Sequence, residues 1–284
     1  MTRTATKLVL AGLLVLAAAV DPAGAEQAPL RFGVLPFASP ARLMDQFQHL
    51  GSYLEKRLDR RVDILSAPDY RDFAARTAAG RYDLVFTPPH FAALAIEETG
   101  YVPLVKTAPP FRPTIYVRRD GDVATLADLS GKTISAPNDV ALVTIWCEKK
   151  LREQGLAVGR NLVFYYTPSH NNALLLLAHN VVDAAITVPV VARRMPAEIR
   201  DQIEPLFSLG ETFAMTYLAA PTMTAGEEER LRHLLLAFPE TPDGARFRQG
   251  TPGPVHAPLS VDEIRPYQGQ TSDLKPRLSQ KAKN

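Results

Sequence analysis

The sequence predicts an α/β protein with two lobes, each a mainly parallel sheet flanked by helices. Short apolar runs of strand length alternate with amphipathic stretches of helical length, and strands that are separated by helices pair in parallel. The alternation stops near residue 110 and then starts again, which indicates a second unit of the same kind. We expect the chain to cross between the lobes near 110–114 and to return near 209–214, with a ligand cleft between them.

The first lobe is predicted over 26–112. Its helix at 41–58 has apolar residues at spacings of three and four, typical of an amphipathic helix: Leu43, Phe47, Leu50, Leu54 and Leu58. The other predicted elements are strands at 30–35, 62–65 and 82–86, a helix at 70–79 that ends at Gly80, and a helix at 90–98 that ends before Gly100.

The second lobe is predicted over 113–212, followed by a return segment and C-terminal tail over 213–284. Its predicted strands lie at 114–117, 131–135, 162–166 and 182–187, and its predicted helices at 126–129, 140–154 and 171–179. The return segment supplies a strand at 213–219 and a helix at 227–237. The tail after residue 250 is rich in Pro and Gly and is expected to wrap around the lobes.

Residues 1–25 have the three-part pattern of a secretory signal peptide. Arg3 and Lys7 form a positive region, an apolar run extends over 8–20, and residues 23–25 (Ala-Gly-Ala) form a cleavage site. The apolar run is shorter than the roughly 20 residues of a spanning helix. We therefore expect cleavage before Glu26 and export to the periplasm, the alternative being an uncleaved N-terminal anchor.

The composition is that of an ordinary globular protein, with 46% hydrophobic and 22% charged residues. The formal net charge of +2 argues against a nucleic-acid partner. The sequence has no glycine-rich nucleotide motif, no G-x-S-x-G and no H-E-x-x-H, and its histidines do not pair at i, i+4. We therefore expect no cofactor, no metal site and no enzymatic activity.

Cys147 is the single cysteine and follows Trp146 on a predicted helix. Such a cysteine is typically a buried small hydrophobe. Two alternatives stay open: a thiolate ligand for a soft species such as a metalloid, and a nucleophile that acts with His170 as its base.

Several segments occur in an order that is familiar from one family. They are Leu30–Pro36 (LRFGVLP), 67–70 (APDY), 80–86 (GRYDLVF), 129–133 (LSGKT), Ser169-His170 before a Leu-rich helix, and 182–185 (VDAA). Together they resemble the phosphate/phosphite/phosphonate-binding family of ABC-transporter substrate-binding proteins, which have a type II periplasmic-binding-protein fold. The resemblance implies a monomer that captures a small oxyanion and delivers it to an ABC permease in the inner membrane.

The resemblance assigns ligand contacts to Tyr70 and His170. The Tyr70 hydroxyl would donate from the first lobe, although a tyrosine that merely packs at a helix start is an equal alternative. His170 would donate from the start of a second-lobe helix, where backbone N–H groups add to the site. Ser169 is the better candidate for the helix cap, which leaves His170 free for the ligand.

The segment that holds the anion in the family differs here. A hydroxyl-rich run is replaced by residues 137–141 (PNDVA), so that Asn138 and Asp139 stand at the helix start, where Asp139 would either repel an anion or cap the helix. The family's aromatic before the first crossover corresponds to Phe111, without a hydroxyl, and a carboxylate of aminophosphonate binders falls near Val190. Thr87 is expected to line the cleft, and the sequence leaves open whether His90 and Arg112 do so as well.

Two binding functions remain. The first is a transport receptor, and the second is a sensory receptor that presents its ligand, such as arsenite or another oxyanion, to a sensor kinase in the inner membrane. In both, the ligand stabilises closure by touching the two lobes at once.

Overall fold

Two sheets organise the part of the chain that the computed structural model describes, residues 27–108, 110–250 and 255–280. The expected signal peptide, 1–25, lies outside the described residues.

The first half of the described chain contains β1 (Leu30–Val34), α1 (Pro40–Leu58), β2 (Val62–Leu65), α2 (Tyr70–Ala78), β3 (Leu84–Thr87), α3 (Pro89–Thr99), β4 (Val102–Ala108), β5 (Pro110–Phe111), β6 (Thr114–Arg118), a 3-10 turn at Leu126–Leu129, β7 (Thr133–Pro137) and α4 (Leu142–Glu153). The second half contains β8 (Val163–Thr167), α5 (His170–Ala178), β9 (Ala184–Thr187), α6 (Pro189–Ala192), α7 (Ala197–Arg200), β10 (Ile203–Ser208), β11 (Thr212–Phe213), β12 (Thr216–Ala219), α8 (Ala225–Ala237), a 3-10 turn at Phe238–Glu240, α9 (Pro242–Gly250), β13 (Val255–Pro258), α10 (Val261–Gln268) and α11 (Thr271–Ser279).

The strands form a six-stranded sheet in the order β13-β4-β12-β3-β1-β2 and a five-stranded sheet in the order β10-β6-β9-β7-β8. Within the first sheet, β1 pairs in parallel with β2 and β3; within the second, β7 pairs in parallel with β8 and β9. The remaining strands of each sheet are antiparallel. The short strands β5 and β11 pair where the chain crosses between the sheets. This architecture confirms the predicted α/β fold class.

Helices cover both faces of each sheet. On the first sheet, α1, α8 and α9 pack over one face, and α2, α3, α10 and α11 pack over the other. The apolar stripe of α1 faces the core as predicted, with Phe47, Leu50 and Leu54 fully buried. On the second sheet, α4 covers one face, while α5, α6 and α7 cover the other.

Strands β4 and β10, which were not predicted from the sequence, both contain a proline at a β-bulge. In β4, Pro103 stands opposite Leu218 just where the register with β12 shifts by one residue. In β10, Pro205 precedes a register shift against β6. A proline cannot donate to a strand ladder and is accommodated at a bulge or an edge. The proline therefore conceals these strands from pattern analysis.

The C-terminal tail is more than a wrapping segment. It adds β13 to the edge of the first sheet, and α10 and α11 pack against α3. The prolines Pro266 and Pro276 lie inside these helices, which is why the sequence argued against helices here. Within the described residues, no helix has the length and apolar character needed to cross a membrane.

Candidate functional site

The two lobes meet where α2 and α3 begin in the first lobe and where the turn before α4 begins in the second. Two polar contacts cross between the lobes here. Arg71 in α2 forms an ion pair with Asp139, and His90 in α3 is hydrogen-bonded to the backbone carbonyl of Val140. These positions follow the carboxyl ends of strands β2, β3 and β7, the edge at which open α/β sheets bind small molecules. This interface is the candidate functional site.

Asp139 is paired rather than free. Its two carboxylate oxygens accept hydrogen bonds from Arg71 Nη2 at 2.9 and 2.7 Å, and the side chains of Asp139 and Arg71 are only 9% and 13% exposed. The sequence left open whether Asp139 repels an anion or caps α4. Its charge is balanced by a cation from the opposite lobe, and the N-cap of α4 is Ala141 instead.

The C-terminal helix α11 joins the same cluster from a third side. Arg277 donates to the backbone carbonyl of Asp139 at 3.0 Å and to the carboxylate of Glu148 in α4 at 2.8 Å. Arg71 in turn donates to the carbonyls of Arg277 and Gln280, at 3.1 and 2.9 Å. The end of the chain thus ties the first lobe to the second.

A second set of contacts between α4 and the C-terminal segment lies beside this cluster. Trp146 in α4 donates its indole N–H to the side-chain oxygen of Gln270 at 2.7 Å. Its ring stacks on Tyr267 in α10, with ring centroids 5.9 Å apart and planes 4° from parallel. Since both partners belong to the C-terminal segment, Trp146 is held by the part of the chain that packs on the first lobe.

His90 forms a polar contact across the interface and is fully buried. The carbonyl of Val140 lies 2.9 Å from Nε2 and can only accept, so Nε2 carries the proton. Nδ1 is then an acceptor, and it is buried without a partner among the described residues, as is the Thr87 hydroxyl three residues earlier. Burial lowers the pKa of His90 to about 4, so the ring is neutral at ordinary pH.

Tyr70 packs between the lobes. Its ring contacts the apolar core of both sheets and lies edge-on to Phe91, at 6.2 Å between centroids. Burial raises the pKa of its hydroxyl well above the usual range, which keeps it a neutral donor. Its hydroxyl makes no hydrogen bond to any described residue.

His170 opens α5 in the second lobe. Ser169 caps this helix, accepting from the backbone N–H of Asn172 at 3.2 Å, as the sequence analysis expected. His170 Nδ1 lies 3.1 Å from the hydroxyl of Thr187, which is fully buried at the end of β9. Burial lowers the pKa of His170 to about 4, so this ring is also neutral.

Asn138 shapes the turn that leads into α4. Its φ of 21° lies in the left-handed region, and its side-chain oxygen accepts from Val140 N at 3.0 Å. The N-cap of α4 is Ala141, which has no capping side chain. The first backbone N–H groups of α4 consequently lack the usual side-chain partner.

The remaining expected residues differ in position. Phe111 in β5 packs on the core of the second lobe, and Val190 in α6 packs there too. Arg112 is exposed and pairs with Glu211 near the crossover, so its charge is already compensated. Cys147 is fully buried in the core of the second lobe, and burial raises the pKa of its thiol, as expected of a structural cysteine.

Arg71, Arg277 and Thr187 are among the residues near this interface that were not foreseen from the sequence. Arg71 and Arg277 are far from Asp139 along the chain, and no local pattern pairs such residues. Thr187 could have been found by aligning the two halves of the sequence, because Thr87 occupies the corresponding position at the end of a strand. Among the described residues, no group of three or more His, Cys, Asp or Glu is arranged to hold a metal ion.

Comparison with known proteins gives one family. The model of a family described as "ABC transporter, phosphonate, periplasmic substrate-binding protein" matches residues 32–252. PhnD1 from Prochlorococcus marinus, in complex with methylphosphonate, superposes with a TM-score of 0.78 at 13% identity, over 87% of this chain and 98% of that one.

Two further structures share the fold. A Xanthomonas citri protein bound to a chloride ion gives a TM-score of 0.76 at 22% identity, over 87% of this chain and 98% of its own. A histidine kinase sensor domain with similarity to periplasmic binding proteins gives 0.56 at 19% identity, over 82% and 99%. At these identities the likeness concerns the fold alone.

Proposed function

Because this chain belongs to the family of periplasmic phosphonate-binding proteins of ABC transporters and has their type II fold, we propose that it captures a small oxyanion of the phosphate, phosphite or phosphonate class. The family consists of solute-binding proteins whose partners are a small-molecule ligand and a membrane permease. In the proposed function, the ligand is held between the two lobes and delivered to an ABC permease in the inner membrane.

The observation that carries the proposal is the neutralised charge at the start of α4. In this family an anion is expected at the amino end of this helix, where backbone N–H groups and the helix dipole favour negative charge. An unpaired Asp139 would oppose it. Since Arg71 balances the Asp139 carboxylate at 2.7 Å, an anion can approach α4 without net repulsion from that residue.

The other groups near the interface are neutral donors. Tyr70 from the first lobe and His170 from the second both keep a proton at ordinary pH, and α4 begins with an uncapped amino end. Oxyanions are well held by several neutral donors acting together. We propose that Tyr70, Thr87, Asn138 and His170 contact the ligand, that Phe111 lines the apolar side, and that Asp139 acts through its bridge to Arg71.

We propose lobe boundaries at 26–112, 113–212 and 213–284, and a monomeric protein that shifts from an open to a closed form on binding. We also propose export through the signal peptide 1–25. The N-terminal sequence of the chain recovered from a periplasmic fraction tests this: it should begin at Glu26, and recovery of intact Met1 in the membrane fraction would contradict it.

A thermal-shift panel tests the ligand class. Phosphate, phosphite, methylphosphonate, aminoethylphosphonate, sulfate, arsenate and arsenite are each added to the mature protein, since a ligand of the native state raises the melting temperature by mass action. At least one phosphorus oxyanion should raise the melting temperature, and His170→Ala should reduce that rise. His179 is exposed at the far end of α5, so the control variant His179→Ala should keep the full rise. No shift with any phosphorus oxyanion contradicts the proposal.

The sensory function remains the second candidate, and the neighbouring genes discriminate between the two. Neighbouring genes for a permease and an ATPase would indicate transport, whereas a neighbouring gene for a histidine kinase would indicate sensing. Arsenite capture by Cys147 has no support in the structure, because the thiol is fully buried in the core of the second lobe. For the same reason we do not propose a Cys147–His170 catalytic pair.

A further inference from the structure

Residues 68–89 of the first lobe and 168–189 of the second form the same local structure at equal spacing. Asp69 and Ser169 are the N-caps of α2 and α5, and each accepts from the backbone N–H three residues later, at 2.9 and 3.2 Å. The helices 70–78 and 170–178 lead to the strands 84–87 and 184–187. The two segments are therefore a structural repeat, although few of their residues are identical.

The repeat extends to side-chain hydrogen bonds. Asp83 accepts from the backbone N–H of Arg31 in β1, and Asp183 accepts from that of Thr133 in β7, both at 2.8 Å. Because β1 and β7 each lie between the two parallel partners of their own sheet, they correspond to each other, and the alignment of the two segments is fixed. Tyr70 therefore corresponds to His170, and Thr87 corresponds to Thr187.

The two lobes differ in one contact at these positions. In the second lobe, Thr187 Oγ1 lies 3.1 Å from His170 Nδ1. In the first lobe, the Thr87 hydroxyl is buried without a partner among the described residues. The His170–Thr187 bond is thus a feature of the second lobe that the repeat alone does not require.

Which group donates in this hydrogen bond follows from the partners that are available to the Thr187 hydroxyl among the described residues. The Thr187 hydroxyl makes no second hydrogen bond within the described chain, and the residue is fully buried. If Nδ1 donated to it, the hydroxyl proton would be buried without an acceptor, which is costly. If the hydroxyl donates to Nδ1, it is satisfied and the single ring proton of neutral His170 moves to Nε2.

We propose that Thr187 is a positioning residue that holds the proton of His170 on Nε2, so that His170 offers a neutral N–H donor to the ligand. His170 Nε2 makes no hydrogen bond to a described residue, so this donor is free for an oxygen of the ligand. The ligand part of this inference rests on the proposed function; the tautomer part does not.

Nitrogen-15 NMR of the histidine side chains tests the tautomer directly, with the His170 signals assigned by their loss in His170→Ala. In the ligand-free wild type, His170 should show a pyrrole-type Nε2 and a pyridine-type Nδ1. Thr187→Val should shift the ring toward a mixture of tautomers, and Thr187→Ser should restore the wild-type pattern. Thr87→Val, the corresponding change in the first lobe, should leave the His170 signals unchanged.

A wild-type ring protonated on Nδ1, or a Thr187→Val ring that keeps the wild-type pattern, overturns the proposal. If Thr187→Val does not fold, the tautomer of wild type and of Thr187→Ser still decides the proposal.

Ligand binding is the second test. Thr187→Val should weaken methylphosphonate binding roughly tenfold, and Thr187→Ser should weaken it less. Equal binding by both variants and wild type would overturn the role of Thr187 in ligand binding. If wild type binds no phosphorus oxyanion, the proposed function fails while the NMR result stands.

Discussion

Arg71 Nη2 lies 2.7 Å from Asp139 Oδ2, and this single pair links the α2 helix of the first lobe to the turn before α4 in the second. Both side chains are nearly removed from solvent. A buried ion pair of this kind is costly to break from one side, because the remaining charge loses its partner. The pair therefore contributes to how the lobes meet, and it changes the electrostatics of the anion site.

Removal of either partner should destabilise the protein. We expect Arg71→Met and Asp139→Asn each to lower the free energy of unfolding by about 3 kcal/mol, and the double variant to lose less than the sum of the two. Urea unfolding of all four proteins measures this coupling. The exposed pair Arg61–Asp63 is the matched control, and its variants should show a coupling energy below about 1 kcal/mol. Additive losses of stability at Arg71 and Asp139 would show that the two side chains are not coupled.

The C-terminal helix should hold the lobes together through Arg277. Arg277→Met removes the bonds to Asp139 O and to Glu148, so we expect faster hydrogen exchange at the start of α4 and a lower melting temperature. Arg265→Met removes an exposed pair on α10 and should change neither. Unchanged exchange at α4 in Arg277→Met would show that α11 does not restrain the interface.

Stability should fall as the pH falls from about 6.5 to about 4. Burial lowers the pKa of His90 to about 4 in the folded protein, whereas an unfolded histidine titrates near 6.5. In this window the unfolded chain binds the proton and the folded chain does not, so stability is complete above pH 6.5 and is lost on acidification, by roughly 3 kcal/mol for this group at pH 4.

Urea unfolding between pH 7.5 and 4.5 checks this dependence. His90→Gln keeps an N–H donor toward the carbonyl of Val140 but does not titrate, so its stability should fall less steeply with pH than that of wild type. Parallel curves for the two proteins would show that His90 does not cause the loss.

Cys147 should be unreactive in the native state. Its thiol is fully buried and burial raises its pKa, so little thiolate is present to attack a reagent. We expect slow labelling by a thiol reagent in buffer, fast labelling in denaturant, and ligand affinity in Cys147→Ala equal to that of wild type. Fast native labelling that a ligand suppresses would place this thiol in the site instead.

Much of the fold could be predicted because its helices and strands have simple patterns. The stripe of Phe47, Leu50 and Leu54 gave α1, and the capping of α5 by Ser169 was visible from residue type. The strands with Pro103 and Pro205 were hidden, since a bulge that accommodates proline depends on the neighbouring strand. The helices around Pro266 and Pro276 were hidden for a similar reason, although the capping pair Ser260–Glu263 was present in the sequence.

The site could be predicted only in part. Tyr70 and His170 came from the family resemblance, and their roles stay predictions. The pairing of Asp139 with Arg71 could not be foreseen, because it depends on how two lobes meet rather than on any local spacing. It reverses the electrostatic reasoning at α4: a carboxylate that looked repulsive in the sequence is balanced in the fold.

Isothermal titration calorimetry of the mature protein with phosphite and methylphosphonate measures whether both lobes contribute to an oxyanion site, by comparing wild type with Tyr70→Phe and His170→Ala. We expect binding by wild type and roughly tenfold weaker binding in each variant, because one donor comes from each lobe. The exposed residues Tyr165 and His179 supply control variants, Tyr165→Phe and His179→Ala, that should bind as wild type does. Wild-type affinity in both Tyr70→Phe and His170→Ala, or no binding of either oxyanion by wild type, would contradict an oxyanion site between the lobes.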